Sequence, residues 1–221
     1  MKDRYSVAVG LLFVVLIVFV AIQTLGGDEG EGTLGLDQRE ARWPLPGFAV
    51  PAAASRLEGD ANVAQDDCAV AAVPCPEDAR RTPACEIETR GAIRLCDFFD
   101  RPLVISFWFS KGGGTCVEQQ DAVDAAYRRY RERVGFLSLN VRDDRDAVRD
   151  LIRERGWEMP VGYDHDGAVA SLYRVGICPT FAYVYPGGVL QSASIGYLSV
   201  ARLGAHVREL LAATRKAEER G

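Results

Sequence analysis

Cys116 is the residue whose type and surroundings most clearly predict chemistry. Residues 103–109 form an apolar run, and Ser110, Lys111 and three glycines separate this run from Thr115 and Cys116. Such a run is typical of a strand buried on both faces, and the pattern after Cys116 has helical period. A cysteine where a loop enters a helix lies against unpaired backbone N–H groups and the positive end of the helix dipole. Both favour the thiolate, which is the nucleophilic form of cysteine.

The other cysteines predict disulfides. The chain contains six cysteines, all beyond an apolar N-terminal segment: Cys68, Cys75, Cys85, Cys96, Cys116 and Cys178. An even number is typical of a protein that forms disulfides in an oxidising compartment. The first four have longer spacings than the close cysteine pairs of zinc sites, and neither histidine is nearby. We therefore expect structural disulfides there, with local pairing of Cys68 with Cys75 and of Cys85 with Cys96, and we predict no metal site.

Residues 5–25 carry no charge and predict a transmembrane anchor. About 20 apolar residues in a helix span a hydrocarbon core of about 30 Å. Lys2 and Arg4 precede this segment, so the positive-inside rule predicts a cytoplasmic tail over residues 1–4 and an extracytoplasmic location for the bulk of the chain. The expected location is thus the cell membrane, with a single pass. A cleaved signal peptide is the alternative interpretation.

Composition divides the rest of the chain. Residues 26–42 are rich in Gly, Asp and Glu, as in a flexible linker. We expect a cysteine-containing extension over residues 43–100, the main domain over 101–214 and a short tail over 215–221. The formal net charge of −5 argues against a nucleic-acid partner.

The pattern of elements after residue 101 predicts an α/β domain. The predicted order is βαβαβα followed by ββα, which requires a mixed sheet with parallel strands first and an antiparallel hairpin last. The predicted helices cover 118–134 with Gly135 as C-cap, 145–155 between an Asp143 or Asp144 cap and Gly156, 168–173, and a last helix capped by Ser199. The predicted strands after the first cover 136–141, 159–163, 181–185 and 189–196.

This order resembles the thioredoxin fold and, more narrowly, the membrane-anchored TlpA/ResA group of bacterial thiol–disulfide oxidoreductases, or redoxins. Residues 101–108, reading RPLVISFW, match the strand that leads into the active site of that group. Gly176-x-x-Pro179-Thr180-Phe181 matches its cis-proline loop, and residues 144–164 match its inserted helix and strand. The resemblance covers residues 43–211. It implies a thioredoxin-like three-layer fold, with a mixed central sheet and Pro179 in the cis form beside the redox loop.

The chain departs from this group at the redox motif. The group carries Cys-x-x-Cys at the start of the first helix, where this chain reads Gly113-Gly114-Thr115-Cys116. Gly113 stands where the attacking cysteine is expected, so a two-cysteine cycle cannot run within this loop. Because the cis-proline loop lies beside the redox loop in this fold, the resemblance implies that Cys116 and Cys178 are neighbours.

Three interpretations of this pair remain open. In the first, Cys116 and Cys178 form a redox-active disulfide, in which Cys116 attacks and Cys178 resolves the mixed disulfide. In the second, the pair is a permanent structural disulfide in a redox-inactive binding module. In the third, Cys116 attacks a peroxide, since Ser110, Lys111 and Thr115 faintly resemble a peroxiredoxin loop.

Thiol–disulfide exchange is the function that we expect from the sequence. The expected catalytic residues are Cys116, Cys178 and Pro179, and the expected substrate-binding residues are Gly113, Gly114, Thr115, Ile177 and Trp108. The expected partners are exported proteins, through their thiols or disulfides, and the membrane, through the N-terminal helix. No cofactor is predicted, and the three glycines do not form a phosphate loop because no Gly-Lys-Ser/Thr sequence follows them.

Overall fold

The computed structural model describes residues 43–57, 64–65, 83–88, 90–112 and 114–220. The predicted anchor and linker lie outside these residues, as do Cys68, Cys75 and Gly113. Within the described part of the chain, no helix has the length and apolar character that crossing a membrane requires.

A small antiparallel sheet comes first in the chain. It consists of β1 (Phe48–Pro51), β2 (Ala64–Gln65) and β3 (Ala92–Arg94), in the order β2-β1-β3. Short 3-10 helices at Ala84–Glu86 and Leu95–Phe98 flank β3. Cys85 and Cys96, one in each 3-10 helix, form a disulfide, which is the local pairing predicted for these two cysteines.

The central sheet is mixed and has five strands in the order β6-β5-β4-β7-β8. Its strands are β4 (Leu103–Trp108), β5 (Gly135–Val141), β6 (Val161–Asp164), β7 (Thr180–Tyr185) and β8 (Val189–Ile195). Strands β4, β5 and β6 are parallel, whereas β7 is antiparallel to β4 and β8 is antiparallel to β7. The predicted mixed sheet with a final hairpin is therefore confirmed.

Within the described residues, four α-helices accompany the central sheet. They are α1 (Gly114–Tyr130), α2 (Arg145–Arg155), α3 (Ala168–Leu172) and α4 (Val200–Glu218). The Asp144 side chain caps α2 by accepting from Ala147 N, Gly156 ends α2 in the left-handed conformation, and Ser199 caps α4 by accepting from Arg202 N. The sequence predicts each of these caps. Such residues are favoured at helix ends because they satisfy backbone groups that the helix leaves unpaired.

Strand β4 is buried on both faces, as its apolar run predicts. Val104 and Trp108 pack into one core together with residues of α1 and α4. Leu103, Ile105 and Phe107 pack into a second core on the opposite face, with residues of β1 and α3. The alternation follows from the two-residue period of a strand.

The predicted end of the first helix is wrong. Helix α1 ends at Tyr130 and residues 131–134 form a turn, while Gly135 is the first residue of β5. Gly135 does not have a positive φ. A Cβ at this position would lie 3.2 Å from the Phe98 ring, so the glycine permits close packing of β5 rather than a helix cap. Val134 extends the helical spacing of apolar residues beyond the end of α1, because its side chain is buried although it lies in the turn.

Arginines of α2 bind the segment that follows β1. The Arg145 guanidinium donates to the carbonyl oxygens of Ala52 at 3.0 Å, Ser55 at 3.2 Å and Leu57 at 2.5 Å. Arg149 donates to the carbonyl oxygens of Ala53 and Ser55 at 2.9 and 2.7 Å. Charged donors thus bind a run of carbonyl oxygens in the segment that follows β1.

We predict that Arg145→Ala lowers the free energy of unfolding by about 2–3 kcal/mol, because it removes the charged donor of the Ala52 and Leu57 carbonyl groups and one of the two charged donors of the Ser55 carbonyl. Arg153→Ala in the same helix is the matched control. Among the described residues, Arg153 pairs only with exposed Asp150, so its loss should change stability by less than about 0.5 kcal/mol. Urea unfolding of both variants measures the difference. Equal destabilisation by the two substitutions would contradict this role of Arg145.

Candidate functional site

The candidate site is a disulfide between Cys116, in the first turn of α1, and Cys178, which directly precedes Pro179. The Cα atoms of the two cysteines are 5.8 Å apart, within the usual range for a disulfide. The Cys178–Pro179 peptide bond is cis, the isomer that the family resemblance implied. The pairing of Phe107 with Thr180 in the antiparallel strands β4 and β7 brings both segments to the same end of the sheet.

The two cysteines differ in exposure. Cys116 is only 1% exposed, whereas Cys178 is partly exposed. Ile177, beside Cys178 in the chain, is 39% exposed, and Gly176 is exposed as well. A molecule that approaches the disulfide therefore meets the segment 176–178 before it meets Cys116.

Helix α1 supplies the electrostatic environment of Cys116. The helix has 17 residues and begins at Gly114, so Cys116 lies in the first turn. The first N–H groups of a helix have no partner within the helix, and the dipole places partial positive charge there. The arrangement favours an anionic sulfur at Cys116 once the disulfide opens.

A buried network of neutral polar groups holds α1 against the sheet. The Gln120 Nε2 amide donates to Ser106 Oγ at 3.1 Å, and Ser138 Oγ donates to Gln120 Oε1 at 2.9 Å. The indole Nε1 of Trp108 in turn donates to Ser138 Oγ at 2.7 Å. All four side chains are fully buried, so the network fixes the register of α1 on β4 and β5.

The placement of Trp108 corrects its expected role in substrate binding. Its side chain is fully buried, and its ring packs edge-on against Trp157 with centroids 5.6 Å apart. The strand alternation directs Trp108 to the same face as Val104, toward the core beneath α1. Trp108 therefore supports the site from within and has no surface with which to contact a substrate.

A second glutamine fixes the loop between β8 and α4. Leu198 N donates to Gln119 Oε1 at 2.6 Å, and Gln119 Nε2 donates to Leu198 O at 3.0 Å. In the same loop, Gly196 N donates to Pro179 O at 2.9 Å. These hydrogen bonds join the loop to α1 on one side and to the cis-proline segment on the other.

Three exposed apolar side chains, which we call the apolar rim, lie in the cis-proline segment and in the segment from β8 to α4. Among the described residues, the large hydrophobic side chains that are exposed are Ile177 at 39%, Tyr197 at 54% and Val200 at 51%. Ile177 adjoins Cys178, and Tyr197 lies between Gly196 and Leu198, whose hydrogen bonds reach the two cysteine segments. Exposed apolar side chains beside a reactive group are candidates for an interaction surface.

Asp143 organises the loop that follows β4. Its carboxylate is buried and accepts from Ser110 N at 2.5 Å and from Asn140 Nδ2 at 2.6 Å. The carbonyl oxygen of the same Phe109–Ser110 peptide group lies 3.8 Å from Cys178 Sγ. Asp143 was one of two candidate caps for α2, but Asp144 fills that position and leaves Asp143 free to bind the loop.

The structure brings most of the predicted site residues together. Gly114 and Thr115 are exposed at the start of α1, and Ile177 is exposed beside the disulfide. The sequence does not predict the roles of Gln119, Gln120 and Asp143. Their hydrogen-bond partners are distant in the chain or are not indicated by any periodic pattern of residues. Within the described residues, no group of His, Cys, Asp and Glu side chains is arranged to hold a metal ion.

Solved structures support the fold. A crystal structure of a DsbE-type thiol:disulfide interchange protein from Chlorobium tepidum aligns with a TM-score of 0.56 at 15% identity, covering 79% of this chain and 97% of that one. A DsbF homologue from Corynebacterium diphtheriae aligns with a TM-score of 0.57 at 13% identity, covering 84% and 96%. At these identities the alignments establish a shared thioredoxin-like fold.

Sequence comparisons identify the family. The thiol-disulfide oxidoreductase ResA of Oceanobacillus iheyensis is 23% identical over 122 residues, which are 55% of this chain and 63% of that protein. The chain thus spans less than two thirds of the length of this curated relative. Residues 80–200 match the family model described as Redoxin, and this match includes both cysteines of the site. With its mixed sheet and the disulfide at the start of α1, the chain belongs to the Redoxin family, as a thioredoxin-like protein of the TlpA/ResA type.

Proposed function

We propose that this protein catalyses thiol–disulfide exchange with the thiols or disulfides of other proteins, through Cys116 and Cys178. The observation that carries the proposal is the bond between a cysteine at a helix N-terminus and a partly exposed cysteine beside Pro179. The pair replaces the Cys-x-x-Cys motif that the chain lacks. Pro179 is proposed to align the substrate backbone beside the disulfide.

The chemistry needs only the two sulfurs. A substrate thiolate attacks one sulfur of the disulfide, forms a mixed disulfide and expels the other sulfur as a thiolate. A second substrate thiolate then attacks the substrate sulfur of the mixed disulfide and releases a substrate disulfide. Two electrons pass from the substrate dithiol to the protein, which ends with two reduced cysteines. The same steps in reverse reduce a substrate disulfide.

The apolar rim supports an extended polypeptide as substrate. Ile177 offers apolar contact beside Cys178, and Tyr197 and Val200 offer it in the segment from β8 to α4. Gly114 and Thr115 leave the start of α1 exposed. Apolar side chains next to a substrate cysteine are exposed mainly in unfolded or extended chains. We propose that such segments dock on the rim.

The proposed location is the outer side of a membrane, with residues 5–25 as the anchor. The disulfides Cys85–Cys96 and Cys116–Cys178 support this proposal, because disulfides persist in oxidising compartments. Exported proteins are the partners that such a location offers.

The burial of Cys116 favours a second candidate, in which the disulfide is structural and the domain binds a partner without catalysis. A residue that is 1% exposed is protected from reduction unless the attack falls on its partner. A peroxidase function receives no such support, because it requires an accessible Cys116 thiolate. The reduction potential of the pair decides between catalysis and binding.

We predict that Cys116–Cys178 has a reduction potential well above about −300 mV, the level below which structural disulfides typically lie. Full-length protein equilibrated in dithiothreitol buffers, followed by trapping of free thiols and peptide mass mapping, measures this value. Cys85–Cys96 is an internal control and should remain oxidised when the first pair is reduced. A Cys116–Cys178 bond that resists reduction until the protein unfolds would support the structural role and contradict catalysis.

We predict that Ile177→Ser slows the reaction of the oxidised protein with a peptide in which apolar residues flank one cysteine. The expected decrease is about three- to tenfold, because a partly exposed isoleucine contributes about 1 kcal/mol of apolar contact. Stopped-flow measurement of disulfide opening gives the rate. Ile177→Val is the matched control and should retain most of it, and neither variant should react differently with dithiothreitol. Equal slowing with both reagents would show that Ile177 acts on the disulfide and not on substrate docking.

A further inference from the structure

We infer that substrate attacks Cys178 Sγ and that Cys116 is the leaving and resolving sulfur. This inference rests on the proposed exchange function and reverses the roles that the sequence suggested, in which Cys116 attacks and Cys178 resolves. Three features of the described residues support it: the exposure of the two cysteines, the position of Cys116 in α1 and the peptide group that faces Cys178.

Exposure separates the two sulfurs. In disulfide exchange the incoming thiolate approaches the attacked sulfur opposite the sulfur that leaves, so the attacked sulfur must be open on that side. Cys116 is 1% exposed and offers no such opening to a peptide. Cys178 is partly exposed, and exposed Gly176 and Ile177 precede it. A substrate that lies along segment 176–178 therefore meets Cys178 first.

Helix α1 makes Cys116 the better leaving group. A thiolate leaves faster when its pKa is lower, and a helix N-terminus lowers the pKa of a cysteine through unpaired N–H groups and the dipole. Cys116 lies in the first turn of a 17-residue helix. The buried side chains that anchor this turn, Ser106 and Gln120, are neutral and do not oppose a negative charge on the sulfur.

The environment of Cys178 favours a neutral thiol over a thiolate. Its Sγ lies 3.8 Å from the carbonyl oxygen of Phe109, and the N–H of that peptide group donates to the Asp143 carboxylate at 2.5 Å. A carbonyl oxygen repels a thiolate but accepts a hydrogen bond from a thiol. The negative carboxylate on the far side polarises the peptide further toward its oxygen. Charge therefore develops on Cys116 and not on Cys178 when the disulfide opens.

The resulting step is fully balanced. The substrate thiolate forms a bond with Cys178 Sγ, the Cys116–Cys178 bond breaks, and the electron pair of that bond goes to Cys116 as a thiolate. In the reverse direction the Cys116 thiolate attacks Cys178 Sγ in the mixed disulfide and expels the substrate thiolate. Every exchange thus passes through a mixed disulfide on Cys178.

A single-cysteine peptide with apolar flanks identifies the attacked sulfur in the full-length protein. The oxidised protein is mixed with the reduced peptide, and N-ethylmaleimide then blocks the thiol that opening releases. Trypsin separates the two cysteines, because Lys111 and Arg128 bound one fragment and Arg174 and Arg202 bound the other. We expect the peptide on fragment 175–202 and N-ethylmaleimide on fragment 112–128, with at least a tenfold preference, on the order of the difference in access and leaving-group stability.

The outcomes distinguish the inference from the proposed function. A peptide adduct on fragment 112–128, or equal labelling of both fragments, would overturn the assignment while exchange itself stands. An absence of adducts on both fragments, with a disulfide that opens only on unfolding, would overturn the exchange function and the assignment together.

A matched pair of variants gives an independent readout. Full-length Cys116→Ser retains Cys178 and should accumulate a mixed disulfide with glutathione disulfide at least about tenfold faster than Cys178→Ser, which retains only the buried Cys116. Circular dichroism confirms that both variants fold before the comparison. A faster reaction of Cys178→Ser would contradict the inference.

Discussion

The pairing of β4 with β7 is the constraint on which the site depends. The strands are antiparallel and place Phe107 opposite Thr180, so the loop that leaves β4 and the segment that enters β7 meet at the same end of the sheet. Cys116 follows the loop that leaves β4, and Cys178 lies in the segment that enters β7. Although the cysteines are 62 positions apart in the chain, the sheet therefore sets their Cα separation of 5.8 Å. A slip in this register would part the sulfurs, because it would displace β7 and the proline segment along β4.

Non-covalent contacts must keep the site assembled once the disulfide opens. In the chain-entropy model, a crosslink that closes a loop of this length stabilises the folded state by about 4 kcal/mol, and reduction forfeits that contribution. The Gln120 network still holds α1 on the sheet, and the hydrogen bonds of Gln119 still hold the loop at Leu198. Both glutamines lie within one turn of Cys116 in α1. The first turns of α1 therefore carry Cys116 and also the contacts that hold Cys116 in place without the Cys116–Cys178 disulfide.

The sequence predicts the framework better than it predicts the site. The apolar run of β4, the caps Asp144 and Ser199 and the final hairpin depend on local chemistry, so each is visible in a short window. The sequence predicts an α1 that is too long, because buried Val134 has helical spacing although it lies in a turn. It also predicts Gly135 as a cap, whereas this glycine permits close packing against Phe98.

No local sequence pattern predicts the polar contacts of the site. Gln119 and Leu198 are 79 residues apart, and a glutamine in an amphipathic helix is indistinguishable from a solvated one until its partner is known. Trp108 illustrates the converse, because strand alternation excludes the substrate-binding role expected of it. Even the proximity of Cys116 and Cys178 followed only from the family resemblance, since no spacing rule relates residues in different loops.

The location of the second sulfur changes what sets the environment of each cysteine in the proposed redox pair. In a Cys-x-x-Cys motif both sulfurs belong to one turn, so the local backbone sets their separation. Here one sulfur lies on a helix and the other on a strand-entry segment, each with its own electrostatic environment: helix N–H groups at Cys116, and a carbonyl oxygen backed by the Asp143 carboxylate at Cys178. By the inference above, the two environments favour charge on different sulfurs, so separate elements set the properties of each sulfur. Because the sheet holds these elements at a fixed distance, substitutions in either loop can alter the reactivity of one sulfur without moving the other.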